Sequence, residues 1–129
     1  MTMVDAVIDA TVLLRAGANG RELWRHTIAQ LLDEYEADRA HGEDGREVVG
    51  ERPELTGDAR VDAALGALAE HLAIRDGWPV PAWVDEPGRH AGGWLVSELP
   101  AFQSLAEKET PAAFRRHGVL ITLGALARA

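Results

Sequence analysis

A stripe of large apolar residues, Trp24, Ile28, Leu31 and Tyr35, recurs at helical spacing and constrains this chain more than any other feature. Leu23, Thr27 and Leu32 flank it. The pattern predicts a helix from about Arg21 to Ala40, with one face that other parts of the chain must cover. Just upstream, Val4, Val7, Ile8 and Val12, joined by Leu13 and Leu14, also keep helical spacing, with Asp5 and Asp9 between them. That predicts a first helix over residues 3–16. A strand over 7–12 is the lesser alternative, because β-branched residues are frequent there. Gly17, Ala18, Asn19 and Gly20 separate the two helices, and Gly and Asn tolerate the left-handed turn that ends a helix. So short a connection makes residues 1–40 an antiparallel αα-hairpin.

The next segment changes character. Residues 41–57 are polar, with four glycines and one proline, and read as an acidic linker or long loop that Val48, Val49 and Leu55 can tack down. A third helix then starts at Asp58, whose side chain suits an N-cap. Val61, Ala64, Leu65, Leu68, Leu72 and Ala73 form its apolar face, and Gly77 followed by Pro79 stops it. From Trp78 to Val84 two prolines among large apolar groups force an extended path, and a turn-rich stretch leads on to Val96. Three of the four tryptophans, Trp78, Trp83 and Trp94, lie there. Ser97 opens a short helix from Pro100 to about Lys108, with Phe102 and Leu105 facing inward. Thr110 and Pro111 read as N-cap and first residue of another short helix. Gly118 stops that one, Val119 to Ile121 are extended, and Thr122 caps a final turn. The expectation is one mainly helical domain over 1–129: the hairpin, the acidic linker, and a helical C-terminal part over 58–129 with an irregular Trp/Pro-rich segment.

Charge limits what such a domain can bind. The formal net charge is −8, and residues 33–54 carry nine acids against Arg39, Arg46 and Arg52. Binding nucleic acid requires a stripe of Lys or Arg to neutralise phosphates, and none is present. Direct nucleic-acid binding is therefore not expected, whereas a basic protein is a natural partner for Glu43, Asp44 and Glu47. The plain alternative is a solvated helix end. Cysteine is absent, which excludes disulfides and is compatible with the cytoplasm. No apolar run approaches the ~20 residues of a membrane span, and Met1 to Arg15 lack the pattern of a signal peptide.

Nothing in the sequence nominates a reaction. The five histidines, His26, His41, His71, His90 and His117, include no pair at i+3 or i+4, so no metal is expected. Neither Ser97 nor Ser104 lies in a nucleophile elbow, and no glycine-rich phosphate loop occurs. Carboxylate pairs are too common in an acidic chain to mark catalysis. Neither enzyme activity nor a cofactor is expected. The aromatic cluster is the better candidate. Trp78, Trp83 and Trp94 form either a binding hot spot or a lid over the third helix.

Two stretches carry a resemblance. Residues 67–83, ALAEHLAIRDGWPVPAW, and residues 110–121, TPAAFRRHGVLI, resemble an uncharacterised bacterial family associated with antitoxins and regulators. In many members this region follows a helix-turn-helix domain. The resemblance covers roughly residues 51–129 and implies a partner-handling half. Residues 1–40 depart from the pattern, having no basic recognition helix. The leading expectation is thus a protein-binding module, an antitoxin-like neutraliser of a basic toxin encoded nearby, with a homo-oligomer allowed. The alternatives are a small-molecule-binding protein or small enzyme with a Trp-lined pocket, and a DNA-binding regulator acting through residues 1–40.

Overall fold

A computed structural model describes residues 1–43, 45–96 and 99–127. They form a mainly helical protein with seven helices and one two-stranded parallel ribbon. Helix α1 (Met3–Arg15) opens on a capping box in which the Thr2 hydroxyl accepts from the Asp5 N–H and the Asp5 carboxylate accepts from the Thr2 N–H. Gly17 takes a left-handed conformation after it. Helix α2 occupies residues 20–40, with Asn19 as N-cap accepting from the Glu22 N–H. It has three parts: α-helical Gly20–Leu23, π-helical Trp24–Ile28 and α-helical Ala29–Ala40. In the π turn the Ala29 N–H reaches back to the Trp24 carbonyl. Trp24, Ile28, Leu31, Leu32 and Tyr35 are all buried, as the stripe requires. The Met1 amino group lies 2.8 Å from Glu34 Oε2, so the start of α1 meets the far end of α2 and the hairpin is antiparallel.

The buried face of α1 differs from the expected one. Met3, Ala6, Val7 and Ala10 face the core, while Ile8 and Val12 are 60% and 61% exposed and Leu13 is also exposed. The two alanines let α1 approach its neighbours closely, and the bulkier β-branched residues are turned outward.

Residues 45–57 are tied down at several points. A one-turn helix α3 (Arg46–Val49) buries Val48 and Val49 and packs against α1. Thr56 then donates from its N–H and hydroxyl to Asp62 Oδ1, at 2.8 and 2.7 Å. The segment is a strap across the core, preceded by exposed residues 41–43.

Helix α4 (Ala59–Asp76) is the central element. Asp58 caps it by accepting from the N–H groups of Arg60 and Val61, and left-handed Gly77 ends it. Val61, Ala64, Leu65, Leu68, Leu72 and Ala73 are buried, and so are Ala63, Ala67 and Ala69 on its other sides. A helix buried nearly all round sits in the middle of a domain. A 3-10 turn (Ala82–Asp85) interrupts the irregular segment that follows. Strand β1 (Trp94–Leu95) pairs in parallel with β2 (Val119–Leu120), Trp94 opposite Val119.

Between the strands, a 3-10 turn (Pro100–Phe102) leads into α5 (Gln103–Glu109), and α6 (Ala112–Arg116) packs on α4. Phe102 and Leu105 are exposed rather than inward, because so short a helix needs only Ala106 to touch the core. Thr110 does not cap α6. Its hydroxyl lies 2.5 Å from the Ala106 carbonyl and accepts from the Ile121 N–H at 3.0 Å, tying α5 to the segment after β2. The last helix, α7 (Leu123–Ala127), is capped by Thr122 as expected, its hydroxyl accepting from the Ala125 N–H. Ser97, expected to start a helix, lies outside the described residues.

Candidate functional site

The tryptophans are held in three separate places. Trp78 is 7% exposed, and its indole N–H donates to the Tyr35 hydroxyl at 3.2 Å. Tyr35 in turn donates to Asp76 Oδ2 at 2.5 Å. Burial, and then this bond, pushes the Tyr35 phenol up to about 12. Trp83, also 7% exposed, donates to the Val49 carbonyl at 3.2 Å and lies under the Arg89 guanidinium, 4.8 Å from its ring centre. Trp94 is half-buried over Gly20, where an added Cβ would come within 3.3 Å of the indole. Trp78 and Trp83 therefore clamp α2 and the strap to the body and offer little surface. Of the acidic candidates, Glu43 and Glu47 are exposed, and Asp44 lies outside the described residues.

A polar cluster unseen in the sequence lies in the core. The Arg89 side chain is fully buried. Its Nε donates to Glu86 Oε1 at 2.9 Å and one Nη to the Pro53 carbonyl at 2.7 Å, while the other Nη stays 4.0 Å from Asp62 Oδ1. His117 is also fully buried, with Nδ1 2.5 Å from the Arg89 carbonyl. A carbonyl only accepts, so Nδ1 carries the proton. Nε2 faces Glu70 Oε1 at 3.6 Å, beyond hydrogen-bond reach. Glu70 takes both arms of Arg116, which also reaches Asp85. Exposed His90 stacks on the His117 ring, 4.9 Å between centres. Gly66 makes room beneath, where a Cβ would lie 3.2 Å from the imidazole. The Glu70–His117 pair is sealed from solvent, and the cluster joins the strap, α4, the irregular segment and α6.

An accessible groove of about 430 Å³ lies between α2, α4 and α7. Leu32, Leu72 and Leu126 give it an apolar floor, and Leu123 stands at its lip, 51% exposed. Asp33 and Glu36 line the α2 side and His71 and Arg75 the α4 side. Arg75 spans the groove to Glu36 Oε1 at 2.6 Å and also holds Asp76 at 2.9 Å. Burial, reinforced by the charge of Arg75, lowers the pKa of His71 below its ordinary 6.5. His71 also packs on Phe114, 5.7 Å between ring centres. None of the three tryptophans lines this groove. No signal in the sequence announced it, because it is assembled from three helices far apart in the chain.

Among the described residues, no three His, Cys, Asp or Glu side chains gather to hold a metal ion, and no helix is long and apolar enough to cross a membrane. Comparison with family models, with curated proteins and with solved structures finds no match.

Proposed function

We propose that the chain is a protein-binding module acting in the cytoplasm, most concretely an antitoxin-like neutraliser of a basic partner encoded nearby. The observation that carries this reading is the unbalanced carboxylate surface of residues 33–54. Arginines there are engaged by carboxylates, Arg39 by Asp76 at 2.8 Å, and Arg52 by Glu86 at 2.7 Å and Glu54 at 3.2 Å. Asp33, Glu43, Glu47 and Glu51 are exposed and form no ion pair among the described residues. Their charge is left to face solvent or a cationic surface. The resemblance of residues 51–129 points the same way.

Complementary charge acts mainly on the rate of encounter and weakens with salt. The test is surface plasmon resonance against the product of the neighbouring gene, at low and high salt. Reversing Glu43, Asp44 and Glu47 to Lys is expected to slow association several-fold and leave dissociation nearly unchanged. Absence of binding at roughly micromolar concentration, the range of a weak but specific complex, rejects the neutraliser.

A further inference from the structure

We infer that the groove between α2, α4 and α7 is the docking site for a cationic, amphipathic helix of a partner protein, with apolar side chains packing on Leu123 and a Lys or Arg meeting Asp33. This rests on the reading of the chain as a protein-binding module and names the segment of the partner that it grips.

The floor of the groove is apolar, and Leu123 extends that surface outward at the lip. An apolar floor between helices accepts the i, i+3 and i+4 side chains of another helix. The rim selects the charge. Arg75 is already matched by Glu36 and Asp76, so it does not recruit an anion. Asp33 forms no ion pair among the described residues. His71 adds no positive charge near neutral pH, since burial and Arg75 favour its uncharged form. Among the described residues, the groove thus has one unmatched carboxylate beside an apolar trough, and a basic amphipathic segment complements both.

The test uses the full chain and a fluorescent Leu/Lys amphipathic peptide about two heptads long, with a Leu/Glu peptide of the same apolar pattern beside it. Amide NMR shifts on titration locate the binding, and fluorescence anisotropy measures it. The Leu/Lys peptide is expected to perturb residues 32–36, 71–75 and 123–127. Leu123→Asp should weaken it about tenfold or more and Asp33→Asn several-fold, the latter also flattening its salt dependence. Leu123 is exposed, so its variant should fold, and circular dichroism verifies this. Equal binding of the Leu/Glu peptide, or shifts confined to residues 43–54, overturns the assignment. Binding of the neighbouring gene product that is unchanged by Leu123→Asp overturns it too, while leaving the neutraliser intact. The Leu/Lys peptide seated in the groove, without binding of that product, keeps the docking site and removes the neutraliser.

Discussion

Arg89 is the most demanding residue to bury, and its surroundings show how the core tolerates it. The guanidinium meets Glu86, the Pro53 carbonyl and the face of Trp83. A buried ion pair adds little net stability against an apolar replacement, but removing one partner strands the other. Arg89→Ala should therefore cost about 3–5 kcal/mol, the usual penalty for breaking a buried pair. Arg89→Lys should recover little of it, because an ammonium lacks the planar fork that reaches Glu86 and Pro53 together. Urea unfolding of the two variants measures both. A loss below about 1 kcal/mol for Arg89→Ala, the range of an ordinary surface pair, would mean that Arg89 is not the pin of this cluster.

At the scale of elements, the strap and α4 divide what was legible in the sequence from what was not. The caps of α4 are local chemistry: Asp58 bonds to residues two and three ahead, and Gly77 supplies the left-handed turn. Its apolar face is a local period, so start, stop and face could all be read. The face of α1 could not, because Val12, Leu13 and Leu14 run apolar on several sides and close approach by Ala6 and Ala10 decides the outcome. The short parallel ribbon was legible only as two extended pieces. Their pairing depends on left-handed Gly118, where a Cβ would lie 1.7 Å from the Ala91 carbonyl oxygen. Residues 41–57 read as a linker because they are polar and glycine-rich, yet Val48, Val49 and Thr56 anchor them. Proteolysis should register both facts. Brief trypsin treatment should cut first at Arg39 or Arg46, beside the exposed residues 41–43, since exposed polar loop ends open most easily. The two pieces should stay associated on a sizing column. A first cut at Arg60 or Arg75, within α4, would show that the strap is held more firmly than the central helix.

Across the whole molecule, titrating groups in several elements make stability depend on pH in two steps. His71 comes first. Its folded pKa lies below the ordinary 6.5, through burial and then Arg75, so on acidification the unfolded chain takes up this proton before the folded one does. Its contribution is present in full above 6.5 and is lost as pH falls from there through the folded pKa. The carboxylates follow. Burial alone would raise Asp76 and Glu86, but hydrogen bonds from Arg75 and Tyr35 to Asp76, and from Arg52 and Arg89 to Glu86, hold both below their ordinary 3.8 and 4.5. Their stabilisation is present above those ordinary values and disappears as pH falls through the lowered ones. Urea unfolding across the acid range should therefore show a shallow decline beginning near 6.5 and a steeper one below about 4, where these carboxylates take up protons. His71→Gln should flatten the first limb and leave the second, while Asp76→Asn should start from lower stability and show a weaker second limb. The two responses are separable although both residues border Arg75, because only one of them titrates in each window. A first limb that survives His71→Gln would place the neutral-range titration in another group and remove His71 from this account.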